Sequence, residues 1–146
     1  MRFSECRHRP VLDTGSAAEI GRVDGFVVDA AMHRIHALRI GKYKGGSILR
    51  WDDVQGFGPD AVTIRSQETV RQPGDALDES GDLVGQRVLS DAGFDLGAID
   101  DVEFDPDSGD LQRLILGDRN IDAATLLGAG SYAAVVRQPA GDVASR

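Results

Sequence analysis

Apolar residues recur along this chain in short runs that alternate with polar ones. Val23, Phe26 and Val28 precede Ile35, Leu38 and Ile40; much later, Ile99, Val102 and Phe104 precede Leu111, Leu114 and Leu116. The last two members of each leading set alternate, as a half-buried strand does. The three-residue step before them breaks period two both times, which predicts a β-bulge at Asp24-Gly25 and at Asp100-Asp101. Between the second pair of strands, Asp105-Pro106-Asp107-Ser108-Gly109 predicts a bulged hairpin turn. Proline suits the second turn position and glycine supplies a positive φ. The return strands run from Ile35 to Ile40 and from Leu111 to Leu116. A short non-strand element is expected over 48–54, where Asp52 or Asp53 caps one helical turn and Trp51 and Val54 share a face. Residues 121–126 hold the same place later in the chain. Closing strands are expected from Ala61 to Arg65 and from Tyr132 to Arg137.

The two series are copies of one pattern. At an offset of 76, Ile20-Gly21-Arg22-Val23 meets Leu96-Gly97-Ala98-Ile99, and Phe26, Val28, Ile35, Leu38, Ile40 and Gly41 meet Val102, Phe104, Leu111, Leu114, Leu116 and Gly117. Val11-Leu12 matches Val88-Leu89 with one residue inserted, and Gly56-Phe57-Gly58 matches Gly128-Ala129-Gly130 at an offset of 72. Self-similarity at a fixed period marks a repeated structural unit. Five short strands with frequent glycine, in about fifty residues, suggest a small barrel, whose closure removes exposed sheet edges. The organisation read from the pattern is a first repeat over 1–65, an acidic linker over 66–83, a second repeat over 84–137 and a flexible tail over 138–146.

Composition narrows the function. The chain has 146 residues and a net charge of −8, with 41% hydrophobic and 5% aromatic residues. An acidic surface disfavours direct nucleic-acid binding, which needs cations to displace counterions. The longest apolar runs are far too short to span a bilayer, so no membrane insertion is expected. One cysteine, Cys6, makes no internal disulfide and fits a reducing, cytoplasmic setting. Residues 1–64 carry nine Lys/Arg against eight Asp/Glu, and residues 65–146 seven against sixteen, so the acidity lies in the second part.

No residue set carries a recognisable reaction. His33 and His36 with Cys6 and His8 lack the spacing of a zinc site; a hairpin tip and a strand side chain explain the two histidines as well. The acidic run from Asp100 to Asp110 has glycine at the fifth place from Asp105 and no later glutamate, which breaks the calcium-loop pattern. Turn chemistry and solubility explain it. Gly15-Ser16-Ala17 and Gly130-Ser131-Tyr132 are not nucleophile elbows. Cys6, with no evident base, reads as a strand-entry or frayed residue of the N-terminal segment. No catalytic, cofactor or metal residue is assigned, and no enzymatic activity or cofactor is expected. The interaction candidates are Lys42, Tyr43 and Lys44, a basic glycine-flanked loop with one aromatic, together with Arg50 and Trp51.

Both repeats resemble the PRC-barrel domain family, known from the H subunit of photosynthetic reaction centres and the C-terminal part of a ribosome maturation factor. Ile20-Gly21-Arg22-Val23, Ile48-Leu49-Arg50-Trp51-Asp52-Asp53-Val54 and Phe57-Gly58-Pro59-Asp60-Ala61-Val62 carry the resemblance in the first copy. Asp91-Ala92-Gly93-Phe94-Asp95-Leu96-Gly97-Ala98-Ile99 and the Asp105 hairpin carry it in the second. Arg50 stands where the family commonly has proline, and the second copy has Ala123-Ala124 near the tryptophan place. The resemblance implies an all-β chain of two tandem small PRC-type barrels, each with one short helical turn. It implies a non-enzymatic protein-interaction or scaffolding module whose partner protein is not specified; the alternative is an accessory factor in RNA processing or ribosome maturation. Barrels this small bury only about 60% of their chain surface. The two barrels are therefore expected to pack on each other or the chain to form a homodimer, with Lys42, Lys44 and Arg50 facing Asp100, Asp101 or Asp118.

Overall fold

The structure, a computed structural model, describes residues 1–41, 47–71, 83–130 and 132–137. A four-residue helix, α1 (Phe3–Cys6), leads into six strands: β1 (Pro10–Asp13), β2 (Ala18–Asp29), β3 (Arg34–Gly41), β4 (Ser47–Arg50), β5 (Val54–Phe57) and β6 (Val62–Ile64). They form one sheet in the order β4-β3-β2-β1-β6-β5, antiparallel except that β1 runs parallel to β6. The second half holds β7 (Arg87–Ser90), β8 (Asp95–Ala98), β9 (Asp101–Phe104), β10 (Leu111–Leu116), β11 (Arg119–Asp122), β12 (Leu126–Ala129) and β13 (Ala133–Val136). These make a three-stranded sheet, β11-β10-β9, and a four-stranded one, β12-β13-β7-β8. The fold is all-β, and no helix among the described residues is long and apolar enough to cross a membrane.

The copies agree down to hydrogen-bond register. Val28 faces Ile35, Val27 faces Ala37, Phe26 faces Leu38 and Gly25 faces Arg39. In the second half Phe104 faces Leu111, Glu103 faces Arg113, Val102 faces Leu114 and Asp101 faces Ile115, all 76 residues on. Beyond the β3–β4 connection the offset becomes 72: Leu49 pairs with Leu38 as Ile121 pairs with Leu114. A short 3-10 turn follows each time, Trp51–Asp53 and Ala123–Thr125. Two residues that are left-handed in both copies, His33 (φ 55°) and Gly109 (φ 80°), close the equivalent hairpins. Such a conformation is strained for histidine and free for glycine.

Several elements differ from the sequence expectation. The stretch expected to be non-strand is strand as far as Arg50, and the turn begins at Trp51; β5 and β12 then pair with the closing strands. Neither Asp52 nor Asp53 is the N-cap: that place is Arg50, whose side chain makes no capping bond. In the second copy Asp122 does cap, its Oδ1 accepting from Ala124 N at 2.9 Å. The bulge at Asp24 is present. At Asp100 the strand breaks instead, because its carboxylate accepts the Gly117 N–H and the ladder restarts at Asp101. No ladder joins β4 to β5 or β11 to β12 among the described residues; a 3-10 turn lies between the strands each time. The opening of the connecting segment is anchored: Asp13 accepts the N–H groups of Gln67, Gly15 and Ser16, and these bonds hold its carboxyl below the usual carboxylate range.

The halves share one core. Phe26, Leu38, Leu49 and Val62 of the first belong to the same buried cluster as Val102, Phe104, Leu114 and Val136 of the second. Five of the eight aromatic residues meet at the junction. Phe3 stacks on Phe26 with centroids 3.9 Å apart, and Phe104 stands edge-on to Phe3, Phe57 and Trp51. A chain poor in aromatics thus spends most of them on joining its halves. Helix α1 docks on the second half: Phe104 N donates to the Met1 carbonyl, and Ser4 N and Oγ both donate to Asp101. Cys6 is no frayed residue but the wholly buried last residue of this helix, where desolvation pushes its thiol up to about 11.

Candidate functional site

A concavity opens at the end of the β2–β3 hairpin. Its volume is about 180 Å³, and Asp29, Met32, Arg34, His36, Arg50 and Trp51 line it together with Ile35 and Asp52. The hairpin is pinned by Asp29, whose Oδ1 accepts the Met32 N–H at 3.1 Å. Met32 is thereby held outward and is 62% exposed, an unusual place for a long apolar side chain. Arg34 follows the left-handed His33, and its guanidinium donates to the Ser108 carbonyl at 3.0 Å. Arg50 reaches the same hollow from β4, opposite Ala37 in the ladder. Trp51 forms the floor: half-buried, packed on Phe57 and Phe104, its indole lies against the backbone of Gly109. The hollow therefore combines two guanidinium groups, an imidazole, an aromatic wall and a thioether, rimmed by two carboxylates.

Of the sequence candidates, the structure brings Arg50 and Trp51 into this cleft. Lys42, Tyr43 and Lys44 lie outside the described residues; the residues flanking them, Gly41 and Ser47, are at the far end of the β3–β4 ladder from Arg50. Arg50 does not face the acidic residues expected for it. Asp100 serves Gly117, Asp101 serves Ser4, and the ion pair that crosses between chain start and second half is Arg2–Glu103 at 3.6 Å. The acidic run is dispersed in the same way: Glu103 also pairs with Arg113 at 3.2 Å, and Asp105 accepts Asp107 N within its own turn. Among the described residues no three His, Cys, Asp or Glu side chains converge on a point. His33 Nε2–H donates to the Leu126 carbonyl at 2.8 Å, facing the second half while His36 faces the cleft. Met32, Arg34 and Asp29 were not singled out in the sequence; their common signal is position at a hairpin tip beside a tryptophan-bearing turn.

Equivalent positions in the second half carry different chemistry. Arg34 and Arg50 become Asp110 and Asp122, His36 becomes Gln112, Met32 becomes Ser108 and Trp51 becomes Ala123. The cleft's character belongs to the first half alone.

The family model for the PRC-barrel domain matches residues 78–135, so the chain carries a PRC-barrel domain in its second half. The first half repeats that domain's strand order and register without being matched itself. No curated protein matches the chain.

Proposed function

We propose that this protein is a non-enzymatic interaction or scaffolding module built of two PRC-type repeats, and that the cleft of the first repeat is its docking surface. One observation carries this reading: an exposed Met32 beside Trp51, with Arg34 and Arg50 at the same hollow. Tryptophan, methionine and arginine are enriched where protein interfaces concentrate their binding energy. The partner that fits is a protein segment offering an apolar side chain next to a carboxylate. In this reading the cleft binds and carries out no chemistry.

The test is affinity purification from the native host with the wild-type chain and a Met32→Glu/Arg50→Glu variant. Bound protein is identified by mass spectrometry and bound RNA by sequencing. A protein partner captured by the wild type and lost with the variant is expected. Equal capture by both overturns the cleft assignment, and recovery of RNA in place of protein favours an accessory role in RNA metabolism.

A further inference from the structure

The contact between the halves has the symmetry of a dimer. Ile35 N donates to the Gly109 carbonyl and Leu111 N to the His33 carbonyl, both at 2.8 Å. Shifting each residue by 76 turns the first bond into the second. A local twofold axis therefore passes between the hairpins, and the residues bridged across it are Arg34 and Asp110, themselves equivalent. In a true twofold interface each surface meets its own copy, so the residues at the axis are identical. Here they are opposite in charge.

A second difference lies off the axis. The Trp51 indole fills the space beside Gly109 so closely that a Cβ there would sit 2.8 Å from Trp51 Cε2. On the symmetry-related side Trp51 is replaced by Ala123 and Gly109 by His33. The large and the small residue thus change places between the two sequence-equivalent pairs.

We infer that the junction carries a pairing code: each hairpin face is a docking surface whose fitted partner is the other repeat, and like-with-like pairing is rejected. First with first would set Arg34 against Arg34 and bring Trp51 onto His33, where glycine leaves the only room. Second with second would set Asp110 against Asp110 and leave voids between Ala123 and Gly109. Like charges directly opposite across a ladder destabilise it, and both overpacking and cavities weaken a contact. Two independent features select the one combination that a single chain supplies. The face is consumed within the chain, and the first-half cleft beside it stays open to other molecules. This inference does not rest on the proposed function.

The test uses the intact chain and urea unfolding in two double-mutant cycles. In the first, Arg34→Asp and Asp110→Arg singly each lower the folding equilibrium constant by about threefold, because each sets like charges opposite one another across the bridge. The exchanged pair recovers that loss, because opposite charges again stand across the bridge. In the second, Gly109→Ala is made in the wild type and in Trp51→Ala. The backbone strain at φ 80° is common to both, so the difference reports the indole contact alone. The loss is expected to be about tenfold greater in the wild type. Should Gly109→Ala fail to fold in the wild type yet fold with Trp51→Ala, the code is upheld; should either cycle be additive, it is overturned.

Discussion

Phe104→Ala removes the ring at the centre of the junction. Phe104 is fully buried in the second half, and its ring lies within 6.4 Å, centroid to centroid, of Phe3, Phe26, Phe57 and Trp51. All four neighbours precede the second repeat in the chain. Truncating a buried phenylalanine costs about 3–5 kcal/mol, the lost transfer energy plus the cavity. Here the upper part of that range applies, because the four remaining rings cannot close around the gap without breaking the Phe3–Phe26 stack and the Trp51–Phe57 contact. A loss of about 4 kcal/mol is a large share of the about 5–15 kcal/mol that holds a domain folded. With a urea dependence of about 2 kcal/mol per molar, the midpoint falls by about 2 M. The assay is fluorescence of Trp51, the chain's only tryptophan, which lies in the first half. The mutation is in one half and the reporter in the other. A Trp51 midpoint that moves by less than about 0.5 M, while second-half signals collapse, refutes the shared core.

Three further outcomes follow from individual side chains. Asp13 has a depressed pKa in the folded state, so the stability it contributes is present above the unfolded carboxylate pKa and lost as pH falls through the folded one; Asp13→Asn should flatten the acid limb of stability against pH, and an unchanged limb contradicts the assignment. Cys6, raised from 9.0 to about 11, should resist alkylation in the native chain, and stability should fall as pH rises between those values, a fall that Cys6→Ala abolishes. Asp101→Ala should release α1 at a loss of about 2 kcal/mol, seen as fast hydrogen exchange at residues 3–6; continued protection there shows that Phe3 alone holds the helix.

Much of the fold was legible because strand alternation survives in one register through both copies. The pairs from Phe26–Leu38 to Val102–Leu114 follow from apolar spacing, and the 105–109 turn follows from its proline and glycine. β4, β5, β11 and β12 were not legible, since Ser-Ile-Leu-Arg, Val-Gln-Gly-Phe, Arg-Asn-Ile-Asp and Leu-Leu-Gly-Ala show no clean apolar–polar alternation. Helix α1 is a single turn held by the Glu5 cap on Arg2 N, by Phe3 in the core and by Asp101, 97 residues away from Ser4, and no local pattern announces the last two. For the site, residue type pointed to Arg50 and Trp51, because tryptophan anchors interfaces. Met32, Arg34 and Asp29 join them only through hairpin geometry. The contact of Trp51 with Gly109 was invisible for the same reason: each repeat reads alike, and nothing in one repeat's pattern records which surface meets the other.

The two repeats form one cooperative body joined across a local twofold axis. Native-state hydrogen exchange of the intact chain tests it most directly, through the Ile35 and Leu111 amides that bond across the junction. The account predicts that both exchange with the same free energy as the buried amides of Phe26 and Leu114, equal to that of global unfolding. Exchange of the two junction amides at far lower free energy, with separate plateaus for the two halves, would contradict it.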